Sequence, residues 1–255
     1  MSHSSRLRVV CGPMFSGKTT KLVESVRRAL VDSDTYHSVF VLKPSLDTRE
    51  GIGVPPVIRT HDGDEVRDGG QTSMMAPLSS SSSSSLQISH INPLVASLGL
   101  SERVMVCPVD APEWIIGRLP VCVDGKRVFL GVDEAQFFSS GWVEVMLESL
   151  LSLRGDVDLV FVGLDLDRDG VEFPGMGVLL RHCLSVGVEA ERLVGVCSVC
   201  GERNAERTFW RGIAAKKQQG AHDGEVGQVL IGGSEQYEPR CYVHWLEGRS
   251  CNEQQ

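Results

Sequence analysis

The stretch that most constrains this chain is Arg8-Val9-Val10-Cys11-Gly12-Pro13-Met14-Phe15-Ser16-Gly17-Lys18-Thr19-Thr20. It reads as a buried strand, a glycine-bounded loop and the first turn of a helix. Gly12, Gly17, Lys18 and Thr19 satisfy the phosphate-binding pattern G-x-x-x-x-G-K-[ST] in full. A loop that wraps a polyphosphate must aim several backbone N–H groups inward, and glycines permit the close approach and unusual dihedrals that this needs. The helix expected over 18–31 points its partly positive N-terminus at the same anion. Leu22, Val26, Ala29 and Leu30 give that helix one apolar side. The pattern assigns Lys18 to the β and γ phosphates and the Thr19 hydroxyl to Mg²⁺. These residues predict a nucleotide-binding protein.

At 255 residues the chain suits one large domain, or one domain with a small appendage. Its 42% hydrophobic and 23% charged content is ordinary for a globular protein. A formal charge of −8 argues against a general nucleic-acid binder, which needs a net basic face. No apolar run approaches the ~20 residues of a membrane helix, and Met1 to Ser5 lacks a signal-peptide core. Eight irregularly spaced cysteines fit a reducing cytoplasm better than a disulfide framework. Of these, Cys11, Cys107, Cys122 and Cys183 are expected to fill core space as small apolar residues.

Further along, Ser38 to Pro44 reads as a second strand, rich in β-branched and apolar residues and ending in the polar turn Asp47-Thr48-Arg49. In an open parallel sheet, ligands lie beyond the carboxyl ends of the strands, so Lys43, Asp47 and Arg49 fall on the phosphate side. From His61 to about Pro108 the pattern is poorly legible. The unbroken serine run from Ser79 to Ser85 buries too little apolar surface to offset its ordering entropy, and 69–87 is expected to be a disordered insertion.

Arg127-Val128-Phe129-Leu130-Gly131-Val132 is a continuous apolar run that ends in Asp133-Glu134. Such a run predicts a buried parallel strand delivering carboxylates to the ligand edge. Beside a phosphate loop, that supplies a Mg²⁺ ligand in Asp133 and a group to activate a nucleophile in Glu134. A helix is expected over 142–153, with Trp142, Val145, Met146 and Leu150 facing the core. Asp158 to Asp165 repeats the apolar strand ending in an acid, and one more strand is expected over 190–196. Strands alternating with helices predict an α/β fold built on a parallel sheet.

The character changes at Cys197-Ser198-Val199-Cys200-Gly201, a tight knuckle able to present two thiolates to one metal ion. A second pair, Cys241 and His244, follows near the end of the chain. Two plus two soft or borderline ligands match a closed, structural Zn²⁺ site, although a redox Cys-x-x-Cys is the alternative. Between the pairs runs a Gly-, Lys- and Gln-rich segment over 212–228 that reads as a long mobile loop. The boundary between the nucleotide-binding domain, 1–193, and a zinc-binding domain, 194–255, is placed there.

Taken together, these stretches resemble the cellular-type (type II) thymidine kinases. The resemblance is carried by the phosphate loop Gly12 to Thr19, by Lys43 with Asp47-Thr48-Arg49, and by Thr60-His61-Asp62. It continues in Asp133-Glu134-Ala135-Gln136-Phe137-Phe138, Gly163-Leu164-Asp165, the Cys197/Cys200 knuckle, Ile231-Gly232-Gly233 and Tyr237 ahead of Cys241. The acidic box ending in Gln-Phe-Phe, together with Gly-Gly-x-x-x-Tyr before a zinc knuckle, is close to family-specific. The resemblance implies a P-loop α/β kinase with a small zinc domain that carries a lasso loop over the substrate. It implies ATP and thymidine as substrates, Mg²⁺ at Thr19 and Asp133, a homotetramer or homodimer, and no nucleic-acid or membrane partner. By the same token Glu134 corresponds to the general base, and Asp133 to Gln136 line the phosphate region. Met14, Phe137, Arg168 and Phe173 surround the nucleoside, Gln228, Val229, Leu230, Ile231 and Gly232 form the lasso segment along the thymine edge, and Tyr237 lies close to the sugar.

The chain departs from the family pattern at several positions. Arg168 stands where the family has an aromatic packed on the thymine ring, and guanidinium and phenyl are not equivalent. Val171 and Glu172 replace a basic residue and a proline, and Phe209-Trp210 replace a polar and a basic residue. The expectation is therefore 5′-phosphorylation of a deoxynucleoside, thymidine first. Two other readings remain: a non-catalytic nucleotide-binding homologue, and a P-loop ATPase acting on nucleic acid.

Overall fold

The structure, a computed structural model, describes residues 6–45, 58–59, 65–66, 101–107, 111–119, 124–154, 156–211 and 233–252. The elements in chain order begin with β1 (Arg6–Cys11), α1 (Lys18–Val31), β2 (Tyr36–Pro44), β3 (Ile58–Arg59), β4 (Glu65–Val66), β5 (Ser101–Cys107), α2 (Pro112–Ile116) and β6 (Arg127–Val132). After a 3₁₀ turn over Ala135–Phe137 come α3 (Ser140–Leu147), a π-helical stretch over Glu148–Arg154, β7 (Val157–Gly163), α4 (Pro174–Val186) and β8 (Glu191–Arg192). The chain closes with β9 (Arg207–Trp210), β10 (Tyr237–Arg240) and α5 (Tyr242–Asn252).

Six of these strands form one sheet in the order β5-β2-β6-β7-β1-β8. Every pairing in it is parallel. The central strands read as unbroken apolar runs because both faces are covered: β6 and β7 are buried along their whole lengths. On one face α1 seats Leu22, Val23, Val26, Ala29 and Leu30 against Val10, Val39, Val41, Phe129, Val160 and Val162. The other face carries the larger core, where Phe138 stacks on Trp142 at 4.1 Å between ring centroids. Trp142 is 1% exposed, so truncating it to alanine removes a filled volume worth about 3–5 kcal/mol.

At the strand starts, opposite the phosphate loop, a buried ion pair joins Arg127 to Asp158, and the Tyr36 hydroxyl donates to Asp158 Oδ2 at 2.7 Å. The β9–β10 hairpin is antiparallel and stands apart from the main sheet in its own two-stranded unit.

The α1 limits and its apolar side agree with the sequence expectation, as do Trp142, Met146 and Leu150 as core residues. Two expected elements differ. The strand expected over 190–196 joins the sheet only at Glu191–Arg192, because Val194 and Val196 face solvent and Gly195 bridges to Ala205 instead. The expected helix over 142–153 gives way to wider π turns after Leu147. β5 and α4 were not anticipated. The serine run and the rest of 69–87 lie outside the described residues, as do Cys122 and 212–232. Among the described residues no helix is long and apolar enough to cross a membrane.

Candidate active site

The phosphate loop leaves the sheet at Cys11 and turns through Gly12 at φ +139. A Cβ there would collide with the Leu193 carbonyl, on the segment whose own N–H bonds Cys11 O at 2.8 Å. Glycine is therefore required both for the dihedral and for the close approach. Phe15 also adopts a left-handed conformation, φ 62, although it bears a side chain. That conformation costs about 1–2 kcal/mol.

Lys18 opens α1 and is 9% exposed, with its Nζ donating to the Pro13 carbonyl at 2.6 Å. Burial pulls its pKa down, while Glu134, Asp165 and Asp133 act in the opposite direction. The Ser16 Oγ is buried across the loop from Gly12 without a hydrogen-bond partner. An orphaned buried hydroxyl costs about 1–3 kcal/mol. A phosphate oxygen is the acceptor that the hydroxyl lacks and the anion that a desolvated ammonium favours, so the loop fits a polyphosphate.

β6 brings the acids to the same edge. Asp133 is 5% exposed, and its N–H bonds Leu42 O on the neighbouring strand at 2.9 Å. Its Oδ1 lies 3.4 Å from the Thr19 hydroxyl and accepts the Glu134 N–H at 3.0 Å. A hydroxyl and a carboxylate held together are hard oxygen ligands of the kind Mg²⁺ uses. Glu134 has φ 49, a second non-glycine residue held left-handed beside the cradle. Gln136 Nε2 donates to Glu134 Oε2 at 2.6 Å, and Gln136 Oε1 accepts the Leu164 N–H at 3.0 Å.

Lys18, Thr19, Asp133, Glu134 and Gln136 thus form one contiguous group. A second group gathers at the β9–β10 hairpin. Tyr237 stands opposite Trp210 in the hairpin register and is 6% exposed. The Arg168 guanidinium lies 4.9 Å above the Trp210 ring and its charge reaches Tyr237. The expected nucleoside residues divide: Met14 and Phe137 are half-buried at the loop and the 3₁₀ turn, whereas Phe173 belongs to the main core. Asp47, Thr48, Arg49, Gln228, Val229, Leu230, Ile231 and Gly232 lie outside the described residues, as do Thr60-His61-Asp62.

Two contacts escaped the sequence reading. Asp165, 3% exposed at the end of β7, pairs with Arg192 from β8. The Met14 N–H donates to Thr208 Oγ1 on β9 at 3.0 Å, joining the phosphate loop to the hairpin. The acid at the strand end was legible, but nothing in Glu191–Arg192 or Thr208 marks its partner.

Cys197, Cys200, Cys241 and His244 offer ligand atoms that all lie within 4.8 Å of one another. His244 Nδ1 approaches Cys241 Sγ at 3.1 Å and Cys197 Sγ at 3.6 Å, while its Nε2 faces Glu247 at 4.0 Å. Burial opposes ionisation of Cys197, but backbone amides of Cys200, Cys241 and Val199 aimed at its sulfur prevail and bring its pKa to about 6. A thiolate prepared in this way, among three further soft or borderline ligands, is compatible with Zn²⁺.

Comparison with known proteins agrees with this geometry. The family model described as thymidine kinase matches residues 5–92 and 122–245. The chain is similar to the thymidine kinase of Coprothermobacter proteolyticus, 30% identical over 93% of this chain and 89% of that protein. The thymidine kinase of Bacteroides fragilis is 28% identical over 92% of this chain and 84% of its own length. That of Deinococcus deserti is 28% identical over 95% of each. The chain belongs to the thymidine kinase family.

Proposed function

We propose that this protein transfers the γ-phosphoryl group of ATP to the 5′-hydroxyl of thymidine, giving dTMP and ADP for nucleotide salvage. The observation that carries the reading is the convergence of Lys18, Asp133 and Glu134 at one sheet edge, where both carboxylates act on the buried Lys18 ammonium. Phosphoryl transfer needs little covalent chemistry from the protein and depends on positioning and charge. In this reading the loop amides, the Ser16 hydroxyl and Lys18 hold the donor phosphates, with Arg49 adding positive charge. Thr19 and Asp133 hold Mg²⁺, which neutralises charge on the phosphate oxygens when bound. Glu134 accepts the proton of the attacking hydroxyl. Met14, Phe137, Arg168, Phe173, Tyr237 and the segment 228–232 serve the nucleoside.

Cys197, Cys200, Cys241 and His244 hold a structural Zn²⁺ that ties the hairpin to α5, and we take the chain from about residue 194 as the zinc domain. A homotetramer or homodimer in a reducing cytoplasm completes the proposal. The test is purified protein with Mg-ATP and each of the four deoxynucleosides, scored for 5′-monophosphate. Thymidine is expected to be the preferred acceptor. ATP binding without turnover of any of the four would leave a non-catalytic homologue instead.

A further inference from the structure

We propose that Gln136 is a positioning residue for Glu134, holding the carboxylate of the base in one orientation toward the substrate hydroxyl. The inference rests on Glu134 as the base and goes beyond it. The Leu164 N–H can only donate, so the end of the Gln136 side chain that it meets at 3.0 Å is the carbonyl oxygen. The amide nitrogen is thereby turned onto Glu134 Oε2, at 2.6 Å. Gln136 is 5% exposed, and its oxygen and nitrogen each have a partner within the protein. Turning the amide over would set its NH2 group against the Leu164 N–H, donor against donor.

This clamp has a chemical purpose. Glu134 sits at φ 49, a backbone state that side-chain-bearing residues rarely adopt and that persists only where the surroundings hold it, and the Gln136 bond is one such hold. The hydroxyl O–H bond breaks toward the restrained carboxylate as the new O–P bond forms and the bond to the leaving ADP oxygen breaks. Restraining the base in the reacting geometry is worth most in the transition state and little for ATP affinity.

Among the described residues, Glu134, Asp133 and Asp165 all act on Lys18 of α1, and Asp165 is paired with Arg192 of β8. Met176 of α4 comes to the same place as an apolar neighbour. A substitution at Gln136 leaves all of them intact.

The experiment is kcat, with KM for both substrates, in Gln136→Glu, Gln136→Met and Glu134→Gln. Gln136→Glu keeps an acceptor for the Leu164 N–H, and a thermal melt verifies the fold. It removes the donor to Glu134 and sets a second carboxylate against the base, so kcat is expected to fall about tenfold or more while KM for ATP changes less than about twofold. Gln136→Met removes both bonds, and its kcat is expected to fall at least as far. Wild-type kcat in a folded Gln136→Glu overturns the proposal, as does a loss in either variant that appears in KM for ATP alone. Wild-type turnover in Glu134→Gln removes the base and this inference together. A crippled Glu134→Gln beside a fully active Gln136→Glu removes this inference only.

Discussion

The backbone N–H of Met14 and the side-chain oxygen of Thr208 meet at 3.0 Å across 194 positions of sequence. One belongs to the phosphate loop and the other to β9, whose hairpin partner β10 runs directly into Cys241. The phosphate loop is thus tied to the hairpin. Thr208→Val keeps the shape and removes the acceptor of a half-buried N–H, at a cost of about 1 kcal/mol. The melting temperature should drop by several degrees and KM should rise for ATP as well as for thymidine. Unchanged values in both measurements would show that the contact couples nothing.

Glu134→Gln preserves shape and loses the proton acceptor. We expect kcat to fall by about 10²–10⁴-fold, the usual worth of a positioned general base, with ATP affinity retained. Rapid-quench measurement of a single turnover, compared with ATP binding by calorimetry, separates the two. Turnover near the wild-type rate would exclude Glu134 from the proton transfer.

Lys18 carries a penalty that the free protein bears for its ligand. Burial lowers its pKa from the ordinary lysine value, and three carboxylates only partly oppose this. A base whose folded pKa lies below its unfolded one binds fewer protons when folded. Stability therefore rises with pH between the folded pKa and 10.5, and the whole penalty is present below that window. Lys18→Met should raise the melting temperature of the nucleotide-free protein at neutral pH. It should also abolish the stabilisation of about 2.7 kcal/mol that a ligand at one hundred times its Kd supplies. Differential scanning fluorimetry with and without Mg-ATP reads both effects, and a nucleotide-free variant that melts lower would refute the first.

How much of this could be read from residues alone follows from the range of the forces involved. The strand, loop and helix from Arg8 to Val31 are written in contiguous residues whose pattern is set by local chemistry, and they appear as expected. The same holds for the acids at the end of β6 and for the Cys197/Cys200 knuckle with its distant pair. β5 was hidden because its first three residues are Ser101-Glu102-Arg103, and pairing with β2 makes them a strand. α4 begins Pro174-Gly175-Met176-Gly177, a poor helix sequence that packing against α3 and the 3₁₀ turn stabilises. Thr208 and Arg192 act through partners far away in sequence, and no local pattern announces a partner.

The Cys197, Cys200, Cys241 and His244 cluster should hold one Zn²⁺ per chain. Elemental analysis of protein purified without chelator checks the stoichiometry directly. The cluster fixes Cys241, which follows β10 immediately, and Ser198 N donates to Pro239 O at 3.0 Å, so the ion braces the hairpin from both sides. Cys241→Ser should lose the metal, and folding free energy goes with it. The melting temperature should become insensitive to chelator, whereas that of the wild type should fall on chelation. A stable, metal-free wild type would end the assignment.

The last prediction concerns Arg168. Its loop contains three acids, and one of them, Asp169, which also pairs with Arg249 at 3.4 Å, meets it. Asp167 Oδ1 accepts the N–H groups of Asp169 and Val171, each at 2.8 Å, and Glu172 pairs with Arg181 at 3.0 Å. Asp169 is the one that faces Arg168, with Oδ2 3.5 Å from Nε, while the guanidinium plane rests over Trp210. Exposed ion pairs contribute about 0–1 kcal/mol, and a partly exposed cation–π contact about 0.5–1 kcal/mol. Neither holds the backbone, because the Arg168 carbonyl is anchored separately by the Trp245 indole N–H at 3.1 Å. A phenyl ring can therefore replace the guanidinium without moving the loop. It would add an uncharged aromatic surface beside Trp210 and Tyr237, where the arginine now brings a cation. If thymine is covered from this side, Arg168→Phe should lower KM for thymidine several-fold and leave KM for ATP unchanged. Steady-state kinetics of the two proteins side by side decide the matter. A higher KM for thymidine in the variant would mean that the stacked Arg168–Trp210 pair is itself the surface on which the base rests.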